Sequence, residues 1–485
     1  MQNSAGTGFM SLSDAVCSVI FHTALRAAYS PASSWFAHYP SMPASRSFAR
    51  LPGFRDFAPG DMALRLHIFD AWRRVARRYG FREYDGPPLE RLGLYVAKSG
   101  DEIVDQLYSF RDRGGREVAL RPEMTPTLAR ILAARSRGMP KPIRWYSLPQ
   151  LFRYERSQRG RLREHFQLNV DIVGEAGVAA DAEVLALAID ATRELGLDET
   201  DFAALVNDRK LVAAVLSEAG VPSDRHGGCI AAIDRASRVG ERATAAALTA
   251  LGVSQSAVTE LAELLDGGSL DRIAHRYRSE PVQEAVGRLE EHAAILGAMG
   301  LGEYVRFDFS VVRGLAYYTG IVFELHDRAG ELRAICGGGR YDRLLELVGG
   351  EPLPAVGFGM GDVVLTELLG DRGLVPDEAE RCDYYVAWVE ERQRAAGLAL
   401  GRRLREAGRS VVYTLRGQPL GRQLKAANRA GAEAALIIGP EEAERGEVTM
   451  RDLRTGEQKK RTVYQLLESE TMGGTLDRQI DREGS

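Results

Sequence analysis

Apolar residues recur every three to four positions along residues 61–79. Leu64, Ile68, Trp72, Val75 and Ala76 share one face and arginines fill the other, which predicts an amphipathic helix. A short strand from Phe81 follows, and Pro87-Pro88 marks a strand end. Strand-like runs at 107–112 and 117–121 lead to a helix at 125–136. Two apolar runs, 143–148 and 166–173, flank an arginine-rich loop and predict a hairpin, with a helix after it at 181–195. Residues 222–299 change character, with Ala- and Leu-rich helical spacing broken by Gly-Gly and Pro and no strand signal. Strand character resumes at 304–312 and 320–326. Then come a glycine cluster at 337–342, a helix at 342–348 and a second glycine-rich element at 357–361.

Beyond the polar stretch 371–381 the rhythm switches. Strands at 384–389, 411–415 and 434–439 alternate with helices at 392–407 and 420–430, the sign of a βαβ unit and a separate α/β domain. The earlier part, with strands in runs and helices set apart, predicts an antiparallel sheet in an α+β arrangement and not a parallel doubly wound sheet. The expected organisation is one domain in two parts, 49–221 and 301–372, around an all-helical insertion at 222–300, followed by an α/β domain at 382–470. Residues 1–48 and 471–485 lack periodicity and read as disordered flanks. The first is rich in Ser and Ala, with Asp14 its only acid. A transit peptide, a disordered extension and translated sequence upstream of a start at Met42 are all open readings.

A chain of 485 residues exceeds one ordinary core. Its net charge of -4 argues against a protein that clamps nucleic acid with its whole surface. Four scattered cysteines without a CxxC pair suggest neither zinc nor a disulfide framework and suit a reducing compartment. No apolar run reaches the roughly 18–20 residues of a membrane span. A cytoplasmic location is expected, or an organellar one if the N-terminal segment is a transit peptide.

Chemistry concentrates in the hairpin: Arg153-Tyr154-Glu155-Arg156, a basic loop to Arg163, then His165-Phe166-Gln167. Guanidinium groups are planar donor forks suited to phosphate oxygens, and the rings could stack on a base. Exposed basic hairpins are also common surface features. The same ambiguity attends Arg402, Arg403, Arg405, Arg409, Arg416, Arg422, Lys425 and Arg429, which have only Glu406 among them as an acid. They form either a solvated face or an RNA-binding surface. In isolation Tyr317-Tyr318 reads as strand packing, and Gly337-Gly338-Gly339-Arg340 as a tight turn.

Taken in order, these segments resemble the class II aminoacyl-tRNA synthetases, and among them the histidyl-tRNA synthetase family. The helix-strand-proline element ending at Pro87 resembles the first class motif, and the Arg153 hairpin the second. Leu120-Arg121-Pro122-Glu123-Met124-Thr125 resembles the family's LRPEGT. Val312-Arg313-Gly314-Leu315-Ala316-Tyr317-Tyr318 resembles VRGLDYY, and Gly338-Gly339-Arg340-Tyr341-Asp342 resembles GGRYD. The resemblance implies a homodimer that joins L-histidine to ATP and then to tRNA(His), without a membrane partner. It implies an antiparallel catalytic sheet flanked by helices and a C-terminal anticodon-binding α/β domain. Arg153 and Arg313 would hold the α-phosphate and carboxylate, with Mg2+ sharing the phosphate charge. ATP would also meet Glu155 and either His165 or Phe166. Glu123, Thr125 and Gln167 would take the histidine ammonium and backbone end. Asp171 and Tyr318 would take the imidazole nitrogens, with Tyr317 and Tyr341 lining the pocket.

Three of the departures from the family pattern bear on the chemistry. Asp171 stands where the family usually has Glu, and Ser157 where the basic loop usually has Pro. Gly357-Phe358-Gly359-Met360-Gly361 continues as Asp362-Val363-Val364, so Val364 occupies the third motif's arginine position. That departure resembles the plant-organelle and some bacterial members. It also keeps open a second reading: a non-catalytic paralogue such as the regulatory subunit of ATP phosphoribosyltransferase.

Overall fold

The computed structural model describes residues 49–99, 106–155, 160–313, 317–330, 332–376 and 382–468. The expectations for residues 1–48, Ser157, Gly314 to Ala316 and 471–485 lie outside the described residues. The elements below belong to the compact unit Pro52–Ser485.

The first part contributes twelve strands. They are β1 (Arg82–Glu83), β2 (Leu89–Arg91), β3 (Ser109–Arg111), β4 (Glu117–Leu120), β5 (Ile143–Ser147) and β6 (Gln150–Phe152), then β7 (Glu164–Val173), β8 (Phe202–Asp208), β9 (Val305–Phe307), β10 (Ile321–Asp327), β11 (Cys336–Arg340) and β12 (Ala355–Gly361). Nine form one sheet in the order β1-β5-β7-β12-β11-β10-β8-β9, with β6 also paired to β7. Its pairs are antiparallel except β1 with β5 and β8 with β9. β2, β4 and β3 make a separate three-stranded sheet. The fold is α+β.

Helix Pro59–Arg78 covers one face of the large sheet. Its Pro59 stands where a missing N–H costs nothing, and Asp61 and Arg77-Arg78 complement the dipole at the two ends. Ile68, Phe69, Trp72, Val75 and Ala76 enter the main core beside helix Val178–Arg193 and the inner faces of β7 and β8. From Arg209 to Tyr304 the described residues form only helices and turns. This helical stretch does not have a core of its own: Ile230, Leu248, Leu261 and Leu289 join the cluster that contains Trp72 and Val206. Asp208 ties the two together. One carboxylate oxygen caps helix Arg209–Glu218 by accepting from the Lys210 N–H at 2.7 Å, and the other pairs with Arg288 of helix Glu280–Ala298 at 2.9 Å.

Several elements differ from expectation. β8 was not foreseen because Phe202, Ala203, Ala204 and Val206 are buried on both faces, so no alternation marks the strand. The strand expected over 304–312 ends at Phe307, where Asp308 accepts from the Ser310 N–H at 2.8 Å and turns the chain. The glycine cluster is a buried strand, β11, and not a turn. A Cβ at Gly338 would lie 2.5 Å from the Gly357 carbonyl oxygen, so only glycine lets β11 and β12 approach so closely.

The C-terminal part has its own sheet and core: β13 (Cys382–Trp388), β14 (Val411–Tyr413), β15 (Ala432–Ile438), β16 (Glu447–Asp452) and β17 (Gln458–Thr462), in the order β14-β13-β15-β16-β17. The first three are parallel and joined by helices Arg394–Glu406 and Leu420–Arg429. The antiparallel hairpin β16–β17 was missed because Gln458-Lys459-Lys460-Arg461-Thr462 is polar and almost wholly exposed. Among the described residues no helix is long and apolar enough to cross a membrane.

Candidate active site

One cleft of about 470 Å³, its open mouth included, gathers side chains from six separate stretches. It is lined by Glu123 and Thr125 at the start of helix Thr125–Arg135, Arg153 after β6, and Gln167, Asn169 and Asp171 along β7. Arg313, Tyr317 and Tyr318 come from the loop before β10, and Gly337 and Tyr341 from β11 and its end. Gly357, Phe358 and Gly359 of β12 complete it. Nine of the twelve residues singled out in the sequence therefore meet there. Glu155, His165 and Phe166 are not among the lining residues.

Strand periodicity explains the β7 contribution. Residues 167, 169 and 171 project to the cleft, whereas Leu168, Val170 and Ile172 enter the core. Asn169 belongs to the same row and was missed; alternation from Gln167 to Asp171 was the signal that could have found it. The same parity corrects the expectation for Phe166, which faces the core side. Its ring packs at 6.0 Å from Phe57 and 5.3 Å from Phe69, with the Arg65 guanidinium 4.7 Å away. Phe166 is thus half-buried on the side of β7 away from the cleft, which puts it out of position to stack on a nucleotide there. His165 has the parity of the cleft row. Burial, then the charges of Arg153, Arg55 and Arg161, push its imidazole down to about 3, so it is neutral at physiological pH.

Three glycines make room for the site. A Cβ at Gly337 would overlap the Arg313 guanidinium, one at Gly357 the Asp171 carboxylate, and one at Gly359 would lie 2.6 Å from the Gln167 amide. The side chains lie across the glycine strands, where no other residue type leaves space.

Arg313 has a left-handed backbone, φ +54°, which costs a non-glycine residue about 1–3 kcal/mol. The strain is held by its surroundings: the guanidinium donates to Glu324 on β10, and Glu324 also shares a 2.8 Å hydrogen bond with His326. Burial would raise the Glu324 carboxyl, but the His326 hydrogen bond and the Arg313 charge outweigh it and hold it at about 2. Against desolvation, which acts the other way, Tyr318 and Glu324 raise Arg313 above its ordinary value, so it is a permanent cation. Glu324 and His326 were not anticipated, since nothing local in the sequence ties them to Arg313.

Arg153 donates from Nε to the Pro122 carbonyl at 3.0 Å, joining the hairpin to the Glu123 turn. That turn is pinned by buried Arg121, which donates to Asp85 and the Gly86 carbonyl at 2.7 Å each and to the Gln150 carbonyl at 3.0 Å. Glu155 does not line the cleft, and its carboxylate is in contact with Arg161. Deeper in, the Tyr341 hydroxyl donates to Asp171. Tyr317 packs against Tyr318 at 4.7 Å and meets Tyr341 edge-on at 5.9 Å. Burial raises all three phenols, which stay neutral and able to donate. Val364 is buried in the main core. Two arginines gathered with carboxylates, amides and phenols in one cleft suit a ligand that carries both an anionic group and hydrogen-bonding nitrogens.

In the C-terminal part Arg402, Arg403, Arg416, Arg422, Lys425 and Arg429 are exposed. Arg405 is partly structural, donating to the Val411 carbonyl at 2.7 Å and lying 4.9 Å over the Tyr413 ring.

Residues 53–362, more than half of the chain, match the family described as histidyl-tRNA synthetase, and residues 383–469 match the anticodon binding domain. The chain is 44% identical over 413 residues to the histidine–tRNA ligase of Opitutus terrae, covering 84% of this chain and 94% of that protein. It is 40% identical over 406 residues to the chloroplastic/mitochondrial histidine–tRNA ligase of Arabidopsis thaliana, covering 84% and 83%. Its fold is similar to the crystal structure of histidyl-tRNA synthetase from Nostoc, with a TM-score of 0.74 at 26% identity over 88% of this chain and 99% of that one. By sequence and by fold, the chain belongs to the histidyl-tRNA synthetase family.

Proposed function

We infer that the chain is a histidine–tRNA ligase. It activates L-histidine with ATP and transfers the histidyl group to tRNA(His). The observation that carries this reading is the meeting of Arg153 and Arg313 at a cleft that also holds Asp171 and Tyr341 in hydrogen-bond contact.

In the first step a carboxylate oxygen of histidine bonds to the α-phosphorus as the bond to the bridging oxygen breaks and pyrophosphate leaves. The work left to the protein is alignment and charge stabilisation. Arg313 and Arg153 neutralise the histidine carboxylate and the α-phosphate, which otherwise repel each other, and neither can act as a base. Glu123, Thr125 and Gln167 hold the ammonium end. Asp171 accepts from one imidazole nitrogen, and the neutral phenol of Tyr318 pairs with the other. A competing side chain without those nitrogens leaves buried polar groups unpaired, so discrimination is built into the pocket. His165, neutral and in the cleft row, offers a flat ring to adenine.

In the second step a ribose hydroxyl at the tRNA 3′ end attacks the carbonyl carbon of the adenylate and AMP departs. Mg2+ bound to the triphosphate would take part of its charge. A nucleotide-bound Mg2+ takes its ligands from phosphate oxygens, water and one or two carboxylates. The exposed cations of helices Arg394–Glu406 and Leu420–Arg429 suit the anticodon arm, and two chains would act as a homodimer.

Val364 favours the regulatory reading, because a valine cannot bind phosphate. The anticodon-binding domain at 383–469 supports the ligase, since a histidine sensor has no use for it. The experiment is charging of a tRNA(His) transcript with labelled histidine. Histidine-specific charging is expected, and tight histidine binding without charging would return the case to the regulator.

A further inference from the structure

A triphosphate in the cleft carries several negative charges, and Arg153 and Arg313 meet only those nearest the reacting carboxylate. Among the described residues, two other guanidinium groups around the hairpin are engaged elsewhere. Arg55 bonds Glu164 at 2.7 Å and Asp362 at 2.9 Å on the Phe166 side of β7, and Arg161 contacts Glu155. Val364 offers no charge at all.

We propose that Arg333, in the loop between β10 and β11, binds the distal phosphates of ATP. The proposal rests on the ligase reading and deepens it. Sheet register places the residue: Cys336 stands opposite Met360, and the Ile335 carbonyl accepts from the Gly361 N–H at 3.4 Å. Extending that register two residues brings Arg333 alongside the first turn of helix Asp362–Asp371, which carries Val364. The end of the basic loop confirms the neighbourhood. A Cβ at Gly160 would lie 3.4 Å from the Val364 Cγ2 and 3.8 Å from the Arg333 Cδ, so both side chains converge on one point of that loop. The Gly160 N–H donates to Glu367 at 2.9 Å and fastens the loop to the same helix. Arg333 is exposed and makes no ion pair with the described residues. Its planar fork can reach along a polyphosphate from beside a helix turn whose own Val364 is buried and carries no charge.

The test compares ATP with AMP, which lacks the distal phosphates, in wild-type protein, Arg333→Ala and Arg333→Lys. Equilibrium binding should show ATP affinity falling about tenfold in Arg333→Ala and less in Arg333→Lys, with AMP affinity unchanged. In histidine-dependent pyrophosphate exchange, the KM for ATP should rise by a similar factor while the KM for histidine stays within about twofold. Equal loss of ATP and AMP binding would mean a structural role, and unchanged ATP binding would mean no role; either overturns the proposal. Absence of exchange in the wild-type protein would reject the ligase reading instead, and the ATP-against-AMP comparison would still decide the role of Arg333.

Discussion

The Arg313 guanidinium pairs with the Glu324 carboxylate across Gly337, the β11 residue opposite Glu324 in the sheet register. A strained loop residue is thereby fastened to the rigid sheet. Glu324→Gln should lower kcat for histidine-dependent exchange at least about tenfold, with a smaller change in KM for ATP, because the charged anchor that orients Arg313 is lost. The depressed carboxyl implies that the pair's contribution to stability is complete above the ordinary glutamate range, near pH 4.3, and is lost as pH falls through about 2. Steady-state kinetics at pH 7.5 checks the first statement and acid titration of the fold the second. Unchanged kcat would show that Arg313 orients itself.

Asp171 and Gly357 face each other across β7 and β12. Asp171→Asn should raise the KM for histidine by about tenfold to a hundredfold, the worth of a charged hydrogen bond, and leave that for ATP nearly unchanged. Gly357→Ala places a methyl group where the carboxylate lies and should give the same selective defect. A variant of Gly357 that impaired ATP and histidine equally would contradict this account of the pocket floor.

His165 and Phe166 are neighbours in sequence and opposite in orientation. His165→Ala should raise the KM for ATP about tenfold by removing a stacking surface, whereas His165→Phe should retain much of the affinity. Phe166→Leu should instead lower the melting temperature by a few degrees, through lost contacts with Phe57 and Phe69, with little effect on ATP. Because the imidazole titrates near 3, exchange rates should show no protonation step of His165 between pH 5 and 8.

His292, on helix Glu280–Ala298, is 1% exposed, and burial lowers it to about 4 even though a hydrogen bond with the Asp181 backbone acts in the other direction. A histidine harder to protonate when folded than when unfolded makes stability fall as pH drops from about 6.5 toward 4. By pH 5 the loss attributable to this group should be on the order of 2 kcal/mol at most. Denaturant titrations of wild-type protein and His292→Leu at pH 7.5 and pH 5 should show a smaller pH effect in the variant. An equal effect would place the acid sensitivity elsewhere.

Much of the site could be read from the chain because its motifs carry their chemistry locally: RPE, the Arg153 hairpin, the Tyr-Tyr pair and GGRYD each hold a lining residue. What stayed hidden was tertiary. Glu324 supports Arg313 only because β10 passes beneath the loop, and Asn169 needed the strand's facing direction to be known. Phe166 was misjudged because an aromatic beside a basic loop looks available until Phe57, Phe69 and Arg65 are seen around it. β11 was misread because glycines signal turns in isolation, whereas here they admit the side chains of neighbouring strands. The helical stretch was visible as helix, but its sharing of the main core is a matter of which apolar faces meet in space, which no periodicity reveals.

The most direct test is labelled-pyrophosphate exchange into ATP by the purified protein with Mg2+, supplied in turn with each of the twenty amino acids. Exchange with histidine alone is the predicted result. Exchange driven by a different amino acid, or none with histidine while the protein is folded, would contradict the assignment of the cleft as the site where histidine meets ATP.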